Sequence, residues 1–116
     1  MSSIRISFPW PPAAINPHAR GGSPWPKINA TKKYRFEAKT LAQLAKVPTA
    51  PDARLVFTFH PPRRAGDPHN VPGRCKALID GIADAMGVDD KAFRCAFPEV
   101  FAEPVKGGAV IVEVQL

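Results

Sequence analysis

The chain lacks any apolar run of the roughly 18 residues that a membrane-spanning helix needs. Its first residues, MSSIRISFPWPP, contain no apolar core of signal-peptide length, so we expect a cytoplasmic protein without a membrane partner. Cysteine is also scarce, with 2 residues. Because Cys75 and Cys95 do not form a CxxC pair, we predict two reduced core thiols and neither a disulfide nor a zinc site.

Acidic residues are few. The 116 residues include 10 Asp and Glu against 16 Lys and Arg, a net charge of +6. This balance favours a polyanionic partner such as nucleic acid, because each cation set against a phosphate releases counterions. The plainer alternative is that the charge only keeps the protein soluble. An apolar content of 45% in a chain of this length predicts a single folded domain.

Four segments are predicted to be strands. In SIRISF, Ile4, Ile6 and Phe8 alternate with polar residues, which is the pattern of a half-buried strand. ARLVFTFH and AVIVEVQL alternate in the same way, and KAFRCAFPEVFA predicts a short strand with a kink at Pro98. The KGG turn before the last segment could join the final two strands as a hairpin.

Two segments have the periodicity of helices. In NATKKYRFEAKTLAQLAK, capped by Asn29 or Thr31 and ended by Pro48, the predicted apolar face contains Tyr34, Ala38, Leu41, Leu44 and Ala45. Residues 13–28 before it have no periodicity and are predicted to be loop.

The second helix is the more clearly marked one. Asn70 could cap it, Pro72 is tolerated in its first turn, and Gly87 is a suitable end. Its apolar face would contain Cys75, Leu78, Ile79, Ile82 and Met86. The predicted fold is therefore a single α+β domain over residues 1–116, in the order β-α-β-α-β-β. A mixed sheet with two helices on one face is its simplest packing.

Half of the acidic residues cluster within 24 positions of the second half of the chain: Asp67, Asp80, Asp84, Asp89 and Asp90. Lys76, Asp80 and Asp84 are four residues apart on the second helix, so Lys76 and Asp80 can form an ion pair. The simplest interpretation is a solvated helix face followed by a capping loop. The functional interpretation is a Mg²⁺ site, because Mg²⁺ is held by few carboxylates and keeps several waters.

Three parts of the chain resemble the RusA family of Holliday-junction resolvases. SFPWPPAAIN is similar to the family's N-terminal strand with its PWPP and Asn, and KGGAVIVEVQL to its final strand. RRAGDPHNVPGRCKALIDGIADAMGVDD resembles the family's central motif of basic residues, Asp-x-Asp-Asn, a Lys, a helix Asp and an Asp pair. The resemblance spans nearly the whole chain.

This resemblance implies a homodimer that cuts four-way DNA junctions by paired symmetric nicks with Mg²⁺, during DNA recombination and repair. By position, Asp67 matches the first motif aspartate and Asn70 the motif asparagine. Lys76 matches the lysine that faces the phosphate, Asp80 the helix aspartate, and Asp90 the second residue of the acidic pair. Asp67, Asp80 and Asp90 would be metal ligands, and Asp67, Lys76 and Asp90 catalytic residues.

His69 departs from the family motif, which most often has a second catalytic aspartate at this position. As a nitrogen ligand, it suits Mn²⁺ better than Mg²⁺. It could instead act as a general base on water. Alternatively, its presence could mark a weakened or inactive protein that binds junctions without cutting them.

The predicted DNA-binding residues are basic or histidine side chains near these positions. Arg63 and Arg64 directly precede Asp67 and could hold the scissile phosphate. The remaining candidates for phosphate contacts are His18, Arg20 and Lys27 in the long N-terminal loop, and Arg74. Trp10 and Trp25 could stack on exposed bases or could pack within loops.

Overall fold

The computed structural model describes residues 3–15, 22–63 and 70–116. They form an α+β domain, as predicted, with the six main elements in the predicted order. These are β1 (Ser3–Pro9), α1 (Trp25–Leu44), β2 (Arg54–His60), α2 (Lys76–Met86), β3 (Arg94–Ala96) and β4 (Ala109–Gln115). Short 3₁₀ turns occur at Ala13–Ile15, Pro72–Arg74 and Asp90–Ala92.

The sheet is mixed and has the strand order β1-β4-β2-β3. β4 is antiparallel to both β1 and β2, whereas β3 is parallel to β2. The predicted β3–β4 hairpin is therefore wrong. α2 provides the crossover that a parallel β2–β3 pair needs. After β3 the chain runs beside the end of β2, where the Ala102 amide donates to the Phe59 carbonyl at 2.9 Å.

The core lies on one face of this sheet. Ile6 pairs with Val112, which in turn pairs with Phe57, and all three side chains are buried. Equivalent sets of three paired side chains lie two residues before and two residues after this set along the strands. The period-2 pattern of the sequence therefore matches the buried face of the sheet. Buried residues of both helices belong to the same core cluster. Among the described residues, neither helix is long and apolar enough to cross a membrane.

α1 begins at Trp25, four residues before the predicted cap at Asn29. The loop prediction failed here because Pro26 occupies the first turn, where its missing N–H breaks no helical hydrogen bond. The Trp25 amide donates to Ser23 Oγ at 3.2 Å. The face of α1 that packs on the core comprises Tyr34, Ala38 and Ala42. Leu44, predicted on that face, is 74% exposed.

α2 begins at Lys76, so the predicted cap at Asn70 is wrong. Pro72 starts a separate 3₁₀ turn, and the chain enters α2 through Cys75. The predicted end is confirmed, because Gly87 adopts a left-handed conformation with φ 74°. Cys75 is a buried free thiol as predicted, whereas Cys95 is free but exposed, so its assignment to the core was wrong.

The two helices approach each other closely at Gly81. A Cβ atom at this position would lie 2.5 Å from the Arg35 carbonyl oxygen and 2.6 Å from Ala38 Cβ. Glycine is therefore required for the close contact between the two backbones. This contact brings the Arg35 side chain of α1 beside Asp80 and Asp84 of α2.

Candidate functional site

Lys76 lies between two of the aspartates that the sequence analysis selected. Its Nζ is 2.7 Å from Asp80 Oδ1 and 2.5 Å from Asp90 Oδ2. The Asp80 contact follows from helical spacing, since the two residues are one turn apart on α2. The Asp90 contact is tertiary, because Asp90 begins the 3₁₀ turn after α2. We call Lys76, Asp80 and Asp90 the Lys76 cluster.

Arg35 extends this charged surface from the neighbouring helix. Its Nε donates to Asp84 Oδ2 at 2.7 Å and its terminal nitrogen to Asp84 Oδ1 at 2.9 Å, a bidentate pair. A second terminal nitrogen lies 3.9 Å from Asp80 Oδ2. Arg35 could not be predicted from the sequence, because spacing within one helix does not indicate which pairs form between two helices.

The electrostatics favour the charged forms of Lys76, Asp84 and Asp90. Hydrogen bonds from Lys76 lower the pKa of Asp90, and those from Arg35 lower the pKa of Asp84. Hydrogen bonds to Asp80 and Asp90 raise the pKa of Lys76. At neutral pH, Lys76 is therefore an ammonium and Asp90 a carboxylate. The Asp90 carboxylate can bind another cation that competes with the Lys76 ammonium.

A cavity of about 190 Å³ opens beside the Lys76 cluster, between the N-terminal ends of α1 and α2. Its wall includes Lys27 and Thr31 of α1, Arg74 of the 3₁₀ turn, and Lys76 and Asp80 of α2. Three cationic side chains thus face one carboxylate. We call this space the basic cavity.

Arg74 is anchored at the wall of the basic cavity by one of its terminal nitrogens. This nitrogen donates to the Pro11 carbonyl oxygen at 2.5 Å. The Nε atom of the same guanidinium is buried and has no hydrogen-bond partner among the described residues. A buried donor without a partner is costly, so among the described residues the contact with Pro11 is the hydrogen bond that fixes this side chain.

The structure brings together five of the residues selected from the sequence, which are Lys27, Arg74, Lys76, Asp80 and Asp90. Arg63 is exposed just after β2, and Asn70 is also exposed. The other predicted site residues lie outside the described residues: His18, Arg20, Arg64, Asp67 and His69. Their assignments stay predictions.

The two tryptophans differ in their surroundings. Trp10 packs edge-on against Phe59 and Phe101, with ring centroids 6.4 and 6.2 Å apart, so loop packing describes it better than base stacking. Trp25 is 64% exposed at the start of α1. His60 ends β2, and its Nδ1 donates to the Glu103 carbonyl at 2.9 Å, a structural contact.

The Lys76 cluster has the donor chemistry for a hard cation, although the described residues contain no group of three or more His, Cys, Asp or Glu arranged to hold a metal. Asp80 and Asp90 each direct a carboxylate oxygen at one cationic centre, the Lys76 ammonium. Mg²⁺ commonly uses one or two carboxylates and completes its shell with waters and substrate phosphates. The two aspartates therefore fit such a site as partial ligands.

Fold and site together define a small α+β protein with a cation-rich cavity beside a lysine-bridged pair of carboxylates. No family model matches the chain. An uncharacterized protein of Xylella fastidiosa (strain Temecula1 / ATCC 700964) is 32% identical over 116 aligned residues, covering 94% of this chain and 74% of that protein. The chain belongs to the same family as this Xylella protein.

Proposed function

We propose that this protein is a Mg²⁺-dependent endonuclease that resolves four-way DNA junctions by paired nicks, with Mn²⁺ as an alternative metal. The observation that supports it most is the convergence of Lys76, Asp80 and Asp90 beside a cavity lined by Lys27 and Arg74. The resemblance of the central motif to the RusA family supplies the reaction. The proposal includes a homodimer acting on DNA in the cytoplasm, in recombination and repair.

In this mechanism Asp80 and Asp90 would hold the metal, joined by the predicted ligands Asp67 and His69. The metal would supply an activated water and stabilise the negative charge that develops on the phosphate. Lys76, whose pKa is raised, would remain an ammonium and could donate to a phosphoryl oxygen.

A second candidate is a protein of the same fold that binds junctions without cutting them. Its support is that both described carboxylates of the cluster already pair with Lys76. A metal would have to compete with this internal cation. The histidine at position 69, in place of a motif aspartate, supports the same alternative.

Cleavage of a synthetic four-way junction distinguishes the two candidates. With Mg²⁺ or Mn²⁺ the wild-type protein should produce symmetric nicks, and Asp90→Asn should lower the rate by about 100-fold because a metal ligand loses its charge. Asp89→Asn is the matched control. Asp89 caps the 3₁₀ turn by accepting from the Lys91 amide at 2.9 Å, a role that asparagine can keep, and it makes no contact with Lys76 among the described salt bridges.

Junction binding in EDTA, followed by gel shift, completes the test. If neither metal supports cutting but the junction is bound in preference to linear duplex, the nuclease proposal fails and the binding protein remains. If the protein has no preference for the junction, both candidates fail. Light scattering tests the homodimer: the free protein should have twice the mass of one chain, and its complex should have that mass plus the mass of one junction.

A further inference from the structure

The basic cavity combines several features that suit an anion and that the Lys76 cluster does not explain. Its cations come from three separate elements: Lys27 from α1, Arg74 from the 3₁₀ turn, and Lys76 from α2. Side chains of like charge repel each other unless an anion lies between them. Asp80, the carboxylate in the wall, is already paired with Lys76 at 2.7 Å.

Arg74 gives this cavity a cation whose position is fixed. Its guanidinium is held by the bond to the Pro11 carbonyl. Thr31 is a poorer donor, because its hydroxyl already donates to the Lys27 carbonyl at 2.7 Å. Lys76 already pairs with Asp80 and Asp90, so the donors of the wall that remain for an anion are the cationic side chains of Lys27 and Arg74.

The N-terminal end of α2 borders the same wall. Cys75 enters the helix without a side-chain cap, and the wall includes Lys76 and Ala77 of the first turn. Amides of a first helical turn have no partner within the helix, and the helix dipole favours an anion there. Since a water takes up about 30 Å³, a cavity of about 190 Å³ holds roughly six water-sized groups, enough for a phosphate.

We propose that the basic cavity binds one backbone phosphodiester of the DNA strand, next to the phosphate that would be cut at the Lys76 cluster. This inference rests on the proposed function: binding of the phosphodiester needs only its DNA-binding part, and the position beside the cut phosphate needs its cleavage part. Lys27 and Arg74 hold this phosphate, whereas Lys76 lies at the boundary of the cavity and the cluster. The cavity would therefore fix which phosphate of the strand reaches Asp80 and Asp90.

Salt-dependent junction binding in EDTA tests the cavity without requiring any cutting. Lys27→Gln should weaken junction binding about fivefold and reduce the slope of log affinity against log salt by about 0.7–0.9, the loss of one phosphate contact. The matched control is Lys32→Gln, which removes the same charge from the same helix. Lys32 is exposed and lies about 140° around α1 from Lys27. It should leave the slope within about 0.3 of the wild-type value.

Arg74→Gln provides a second variant, checked for folding by circular dichroism because it loses the Pro11 contact. Amide NMR with inorganic phosphate as the probe should shift Gly73 and Ala77 in the wild-type protein and much less in this variant. Equal effects of Lys27→Gln and Lys32→Gln on affinity and slope would overturn the proposal, as would phosphate shifts that are unchanged in Arg74→Gln. If wild-type protein fails to cut but the Lys27 and Lys32 variants differ as expected, only the nuclease proposal fails.

Discussion

Replacing Gly81 with alanine should separate α1 from α2. The added Cβ would lie 2.5 Å from the Arg35 carbonyl oxygen, 2.6 Å from Ala38 Cβ and 2.9 Å from the Lys39 amide nitrogen. Two of these three atoms belong to the backbone, so the strain cannot be relieved by a rotamer change. Overpacking of this kind costs about 1–3 kcal/mol, and rigid backbone neighbours favour the upper end. Alanine returns about 1 kcal/mol through its better helix propensity.

The expected net effect is about 2 kcal/mol of lost stability, which for a domain of this size lowers Tm by roughly 8 °C. Thermal and urea unfolding, followed by circular dichroism, measure it directly. Ala38→Gly in the Gly81→Ala background removes one of the three close contacts. It should therefore recover about 0.5–1 kcal/mol beyond additivity in a double-mutant cycle. A Gly81→Ala protein as stable as wild type would refute the close helix contact.

Three further predictions follow from individual groups. Asp84→Asn should lower the free energy of unfolding by a constant amount from about pH 7 to 5, because the partner guanidinium lowers the pKa of Asp84 in the folded protein. This difference should shrink as the pH falls below about 4, through the lowered pKa, and a difference that grows in acid would contradict the pairing. A thiol reagent should modify the exposed Cys95 first and Cys75 only on unfolding, since burial raises the pKa of Cys75 to about 12; equal rates in mass spectrometry would count against this. Tyr34→Phe should cost about 1–2 kcal/mol in urea unfolding, because the hydroxyl donates to the Pro9 carbonyl at 2.6 Å, and a neutral change would mean that the bond contributes nothing.

Alternation of apolar and polar residues was sufficient to predict the three long strands β1, β2 and β4. Ile6 and Phe8 are buried as expected, because period-2 patterning is a direct consequence of one buried sheet face. The partner of β3 could not be predicted in this way. A three-residue strand contains too little pattern to distinguish a hairpin with β4 from a parallel pair with β2.

The contacts of the candidate site that form within one helix were predicted from the sequence, whereas the contacts between the two helices were missed. The Lys76–Asp80 pair follows from a spacing of four residues, and it is present at 2.7 Å. Asp90 was selected through the family resemblance, since no helical spacing or other local sequence pattern connects it to Lys76. Arg35 was missed because its contact with Asp84 requires the helix approach at Gly81, which no helical period reveals.

The central position of β4 has a consequence for the timing of folding. β1 is the first strand of the chain, yet its described neighbour in the sheet is β4, the last one. During synthesis β2, α2 and β3 can assemble as a local unit, whereas β1 must wait for Ala109–Gln115. Closing such a distant pair is slow, because the loop entropy is lost before the contacts form. The apolar side chains of β1 therefore remain without their neighbours in the sheet until β4 has been synthesised.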